Sequence, residues 1–204
     1  LFEFSANQTI NLLAGWNLIS FNRKFTDNDA IATVLASILS KVDYVVGFNN
    51  GFISYGRTWA SQFNTLTTFE ENLGYWINVS ESTPITIEGI PFTGPINMNQ
   101  GWNIISYYIN DSSIPATVFK ELIEYDDGNG TNNLLSHVTG FNNDTKVFTE
   151  YPTGTPVLTT MENGLGYWVE TTNNLTNFSL NTNDTATFES TALVVSTPTD
   201  SPDF

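Results

Sequence analysis

The sequence predicts a mainly β protein of the α+β kind, in which two tandem modules each carry one amphipathic helix packed on a sheet. Three observations lead there. The motif Gly15-Trp16-Asn17-Leu18-Ile19-Ser20 returns as Gly101-Trp102-Asn103-Ile104-Ile105-Ser106, Gly47-Phe48-Asn49-Asn50 as Gly140-Phe141-Asn142-Asn143, and Gly74-Tyr75-Trp76-Ile77 as Gly166-Tyr167-Trp168-Val169. The three motifs keep their order, at offsets of 86, 93 and 92 residues, and a fixed internal period is the mark of a repeated structural unit. Between the motifs lie short β-branched and aromatic runs bounded by Gly, Asn and Pro, which read as strands. One stretch per copy instead has helical periodicity.

In chain order, the segment before the first repeat, residues 1–7, has strand character through Leu1, Phe2, Phe4 and Ala6 but no neighbouring hairpin partner. Repeat one is placed at residues 8–90, with strands over Trp16 to Phe21, Tyr44 to Phe48, Tyr75 to Val79 and Pro84 to Glu88. Ile31, Val34, Leu35, Ile38 and Leu39 follow the i, i+3, i+4, i+7, i+8 pattern of a helix laid on a sheet, with Asp27 as N-cap. Asn50-Gly51 between two apolar runs predicts a hairpin with a two-residue type I′ turn. Pro91, Gly94 and Pro95 mark the joint to repeat two at residues 94–181. There Val118, Phe119, Leu122 and Ile123 repeat the helical face, with Ser113 as cap and Pro115 in the first turn. The turn-rich stretch Asp126 to Asn133 accounts for the extra length of this copy. Residues 182–204 hold a further β-prone segment and a Ser/Thr/Pro tail.

Composition narrows the function. The 204 residues include 21 Asp and Glu against 6 Lys and Arg, a formal charge of −15, which leaves no cationic surface for a nucleic-acid backbone. With 40% hydrophobic and 14% aromatic residues the chain is too apolar for a disordered acidic segment. Its polarity is carried by 25 Asn, 28 Thr and 16 Ser, so amides and hydroxyls wet the surface. The absence of Cys excludes disulfides and thiolate metal sites. No run of 18 apolar residues is present to span a membrane as a helix, and a start at Leu1 without a basic, apolar leader reads as a mature or processed chain.

The order G-W-N-L-I-S, amphipathic helix, V-x-G-F/Y hairpin with an aromatic-Ser-Tyr strand, L-G-Y-W-I, then a strand near T-I-x-G resembles a repeat module common in secreted surface proteins of archaea and some bacteria. The resemblance covers residues 8–181 and holds in both copies. It implies a large extracellular protein with no assigned catalytic or cofactor-binding residues. The second copy departs at Phe148-Thr149-Glu150-Tyr151, against Phe52-Ile53-Ser54-Tyr55 in the first, which predicts a more exposed strand.

Candidate side chains divide unevenly. Trp16, Trp76, Trp102, Trp168 and Tyr75 suit a sugar-stacking platform, but recurrence at matched positions assigns them to packing. Trp59 has no counterpart in repeat two and is the candidate for an exposed contact. His137 is the only histidine, so no multi-His metal site exists, and it reads as a surface or edge-strand residue. Glu70, Glu71, Asp126, Asp127 and Glu162 offer carboxylate pairs of the kind glycoside hydrolysis uses. The matched positions of Glu70/Glu71 and Glu162 before L-G-Y-W suit a structural loop, and no catalytic residue is assigned. Asp126 to Gly130 and Thr26 to Asp29 offer oxygen ligands for a weak calcium site at most, since neither completes a calcium-loop pattern.

Eight N-x-[ST] sequons, at Asn7, Asn78, Asn110, Asn129, Asn143, Asn174, Asn177 and Asn183, are the expected glycan acceptors. Unpaired apolar strands such as Leu1 to Ala6 are an association hazard unless something covers them. Donation of that strand into a neighbouring copy would build an open, head-to-tail homopolymer, whereas pairing within its own chain would not. The sequence is therefore expected to be a secreted, glycosylated structural protein of a microbial surface, the self-assembling subunit of a pilus-like filament or a layer. An adhesin that binds carbohydrate or a partner is the alternative, and a hydrolase comes third.

Overall fold

The structure, a computed structural model, describes residues 6–25, 29–128, 130–181 and 193–196. Repeat one runs β1 (Ala6–Leu12), β2 (Gly15–Ser20), β3 (Arg23–Phe25), α1 (Ile31–Val34), β4 (Val42–Phe48), β5 (Phe52–Gly56), β6 (Gly74–Val79) and β7 (Thr83–Pro91). Repeat two runs β8 (Ile96–Met98), β9 (Gly101–Ser106), α2 (Pro115–Val118), α3 (Lys120–Ile123), β10 (Leu135–Asn142), β11 (Val147–Tyr151), β12 (Gly166–Thr171), β13 (Asn174–Phe178) and β14 (Val194–Ser196). The protein is mainly β, with antiparallel sheets in both copies. The four-stranded sheets have matching orders, β2-β6-β4-β5 and β9-β12-β10-β11. The three-stranded sheets share two matched strands: β7 lies between β1 and β3, and β13 between β8 and β14, but β14 comes from the end of the chain whereas β3 follows β2.

The first motif builds its own turn. Gly15 and Gly101 sit at φ of 85° and 89°, a region that favours glycine. Two residues later the buried amide of Asn17 donates to Leu13 O at 2.7 Å and Gly15 O at 3.0 Å and accepts from Leu13 N–H at 2.9 Å. Asn103 repeats this with Asn99 and Gly101 at 2.8, 3.0 and 2.9 Å. The side chain thus stands in for the backbone partners that the turn lacks.

Side-chain alternation then sorts each four-stranded sheet into two faces. The inner face of repeat one carries Ile19, Tyr75, Ile77 and Val45 into a core with Phe21, Phe69, Ile31, Leu35 and Ile38. Aromatic rings dominate it, with Phe69 to Tyr75 centroids 4.8 Å apart and Phe21 to Phe69 5.0 Å. Repeat two buries the matched Ile105, Tyr167, Val169 and Val138 with Val118, Phe119 and Leu122. Glycine makes room for the tyrosines: a Cβ on Gly47 would lie 3.0 Å from Tyr75, and one on Gly140 3.1 Å from Tyr167.

Several expectations need correction. The amphipathic helix is a single turn at α1 followed by tight 3₁₀-type turns to Lys41, and in repeat two it is split into α2 and α3. Ile31, Leu35 and Ile38 still point inward. β-Branched Ile31, Thr33 and Val34 favour helix weakly, so burial sets the face without sustaining the i→i−4 ladder. Ala30 and Ile114 hold the cap positions; Pro115 is in the first turn as expected, but Ser113 bridges Met161 through its backbone. Asp27 lies outside the described residues. The hairpin at Asn50-Gly51 forms, but Phe48 pairs with Phe52, which makes the loop three residues long. His137 is a surface residue, one of the two expected alternatives, but β10 is an interior strand of its sheet and not an edge.

The termini take the intrachain alternative as far as they are described. Ala6 pairs with Gly89, and β1 runs antiparallel along β7 from Thr83 to Gly89. β14 pairs with β13 in the same chain. Leu1, Phe2 and Phe4 lie outside the described residues.

Candidate functional site

The outer faces of the two four-stranded sheets meet, and their contacts come in reciprocal pairs, as across a two-fold axis. Ile19 bridges Leu165 as Ile105 bridges Leu73, and Ser20 N–H donates to Gly164 O at 3.0 Å as Ser106 N–H does to Asn72 O at 3.0 Å. The motif serines reach across too: Ser20 Oγ donates to Leu165 O and Ser106 Oγ to Phe21 O, both at 2.7 Å. Leu18, Ile104 and Phe141 form a small buried cluster flanked by Phe48, Trp76 and Trp168. Phe48 and Phe52 pack on Trp168 at 5.4 and 6.3 Å, and Phe141 and Phe148 on Trp76 at 4.8 and 6.0 Å. Gly74 and Gly166 allow the approach, since a Cβ on either would meet a carbonyl oxygen of the other repeat at 2.8 or 2.6 Å.

The largest departure from the symmetry lies at the hairpin loops. The β10–β11 loop is a residue longer than its counterpart, and Asn143 reaches Leu18, accepting from its N–H at 2.9 Å and donating to its O at 3.3 Å. Lys146 adds a bond to Trp16 O at 2.8 Å. At the reciprocal place a cavity of about 220 Å³ remains, lined by Phe48, Asn49, Glu70, Asn72, Asn99 and Asn103 among others.

Beyond the overlap of the sheets, aromatic side chains of repeat one stay in solvent. Trp16 on β2, Asn78 on β6, Tyr44 on β4 and Gly56 on β5 are successive cross-strand partners on the outer face. The Trp16 and Tyr44 rings are near-parallel with centroids 6.4 Å apart, and Trp59 stands 5.7 Å beyond Tyr44. Trp59 lies over Gly56, where a Cβ would fall 2.3 Å from its indole. The three rings are 39%, 40% and 41% exposed. Repeat two places Trp102, Glu170 and His137 in the matched row; His137 Nδ1 is 3.1 Å from Glu170 Oε2, and its ring stacks on Trp102 at 6.3 Å.

The packing expectation for the recurring aromatics therefore holds for Tyr75, which is fully buried, and in part for Trp76 and Trp168. Trp16 and Trp102 stand exposed beside the interface. Trp59 is exposed as expected, and its membership of a row was missed because cross-strand register is invisible before pairing is known.

Two of the candidate acidic residues bond through their backbone and two through their carboxylates. Glu70 and Glu162 donate their backbone N–H to the hydroxyls of Tyr75 and Tyr167, each at 2.7 Å. Glu71 accepts from Phe25 N–H at 3.0 Å, and Asp126 from Gly128 N–H at 2.8 Å. Burial raises the ionisation of Tyr75 and Tyr167 well above the usual phenol range, pushes Tyr107 up to about 12 and raises that of Tyr108. Among the described residues no three His, Asp or Glu side chains group to hold a metal, and no helix is long and apolar enough to cross a membrane.

Of the sequon asparagines, Asn7 and Asn110 are exposed, whereas Asn78, Asn143, Asn174 and Asn177 are half-buried. Asn129 and Asn183 lie outside the described residues. No protein-family profile, curated protein or solved structure matches the chain.

Proposed function

We propose that the chain is a structural unit of a secreted, glycosylated protein of a microbial cell surface, self-associating into an extracellular filament or layer. The observation that carries this reading is the reciprocal lock between the repeats. The motif residues go into turns, cores and the contact between the copies, so the pair forms one stiff body rather than two modules on a hinge. Backbone contacts at Gly74 and Gly166 make sliding costly. A load-bearing subunit needs that stiffness. The surface resemblance of the repeat motifs and the Asn/Thr/Ser-rich composition point the same way.

Head-to-tail association has two strand-level routes. β1 occupies one side of β7 over Thr83 to Gly89 and β3 the other over Gly89 to Pro91, so a donated strand would add to an open strand edge or be formed by residues 1–5. Glycans are assigned first to exposed Asn7 and Asn110. Asn143 is a poor acceptor because its amide nitrogen bonds Leu18 O.

Electron microscopy of the native protein tests the reading: filaments or sheets are expected, and dispersed monomers at high concentration would overturn it. Deletion of residues 1–5 separates the routes, since unchanged polymers would eliminate donation by that segment. Glycopeptide mapping should find sugar on Asn7 or Asn110; a protein bare at all sequons would remove the glycoprotein part.

A further inference from the structure

We propose that the row Trp16–Asn78–Tyr44–Trp59 is a binding face for a neutral polysaccharide, a role that stands or falls independently of the filament reading. The comparison between the two repeats isolates it. Side chains required by the shared fold recur in both: Leu18 with Ile104, Trp76 with Trp168, Phe48 with Phe141, Tyr75 with Tyr167. In the row, Trp16 recurs as Trp102, but Tyr44 is matched by His137, Asn78 by Glu170, and Trp59 by nothing. The fold is therefore built equally well without this set, and packing does not explain three aromatic rings of which about two-fifths stays in water.

The chemistry of the row selects its occupant. Exposed aromatic rings offer polarisable faces to the apolar C–H faces of sugar rings. Between Trp16 and Tyr44 stands the half-buried Asn78, and among the described residues its side-chain amide makes no hydrogen bond. It has donors and an acceptor for sugar hydroxyls. The ring centroids are spaced 6.4 Å from Trp16 to Tyr44 and 5.7 Å from Tyr44 to Trp59, so the row is longer than one pyranose ring. A chain of net charge −15 disfavours an anionic polymer and leaves a neutral one. The matched row of repeat two, with its His137–Glu170 pair, supplies an internal control.

Gly56 is the positioning element. Any side chain at this place would drive the Trp59 indole off β5 and out of line with Tyr44.

The test is titration of the full chain with neutral hexasaccharides of glucose, N-acetylglucosamine and mannose, and with polygalacturonate, followed by tryptophan fluorescence and calorimetry. At least one neutral hexasaccharide should bind, and Trp59→Ala should weaken it about five- to tenfold, as the loss of one aromatic contact implies. Gly56→Val should weaken it similarly while the tryptophan is kept, and Trp102→Ala should leave it unchanged. Circular dichroism identifies any variant that fails to fold, and Tyr44→Ala then replaces it. The proposal is overturned if no neutral hexasaccharide binds at roughly 10 mM, if Trp59→Ala binds as well as the parent, or if Trp102→Ala loses binding equally. Preference for polygalacturonate would also overturn it, as would a native glycan on Asn78 that covers the row.

Discussion

Replacing Gly166 by alanine tests the reciprocal lock at its tightest point. The added Cβ would stand 2.6 Å from Ile19 O and 3.2 Å from Leu18 Cδ1. Ordinary contact begins near 3.5 Å, so about 0.9 Å of separation must be found. The obstacle is backbone and cannot rotate aside. Relief has to come from moving the repeats apart, which loosens the cluster of Leu18, Ile104 and Phe141. Overpacking of this kind costs about 1–3 kcal/mol, and a backbone obstacle places the expected loss at the upper end, about 2–3 kcal/mol. Gly74→Ala, with Ile105 O at 2.8 Å and Ile104 Cγ2 at 2.6 Å, should behave alike. The Gly74 Cβ position is also 3.3 Å from Gly166 Cα, so one displacement relieves both strains. The double variant should therefore lose about 1 kcal/mol less than the sum of the singles. Urea unfolding of the four proteins measures this cycle. Single-variant losses below about 0.5 kcal/mol, or strict additivity, would refute the reasoning.

Asn17→Ala and Asn103→Ala should each cost about 2–3 kcal/mol, since each strips a turn of three short hydrogen bonds and strands backbone groups at a buried site; equilibrium unfolding reads the loss directly. Alkali gives a second check. The phenols of Tyr75, Tyr107, Tyr108 and Tyr167 are held above their ordinary value by burial, so above about pH 10 the unfolded chain releases protons that the native state keeps. Their contribution to stability is fully present below that pH and is lost as pH rises through the folded values. An ultraviolet titration should find the ionisation of the buried tyrosines delayed beyond the ordinary phenol range and completed as the fold is lost, whereas a single ordinary phenol titration of the folded protein would contradict it. Asn143→Ala should cost about 1–2 kcal/mol by removing the pair of bonds to Leu18, and mass mapping should find no sugar on Asn143 in the native protein.

The sequence was most legible where a pattern repeats. Three motifs in one order announce two copies of one unit, and the β-branched and aromatic run from Trp16 to Phe21 announces a strand. The turn at Gly15 and Gly101 and its brace from Asn17 and Asn103 stayed hidden, because a side-chain amide that replaces backbone partners leaves no periodic signal. What stayed hidden depends on register and tertiary approach. The cluster of Leu18, Ile104 and Phe141 exists only because two outer faces meet. At Gly74 and Gly166 only the opposing carbonyl oxygens reveal why no side chain fits. The helical periodicity over Ile31 to Leu39 predicted the buried face and overstated the helix, because burial tolerates broken turns that propensity would not sustain. Tyr44, Trp59 and Asn78 are spread over 35 positions of chain and share a row only through β-pairing and the packing of Trp59 over Gly56.

The central claim is that the repeated motifs fasten the two modules into a single cooperative body. Scanning calorimetry of the intact chain measures this most directly. The account predicts one transition whose calorimetric and van't Hoff enthalpies agree, and two separate transitions in the Gly74→Ala/Gly166→Ala variant. Two independently melting modules in the parent protein would contradict it.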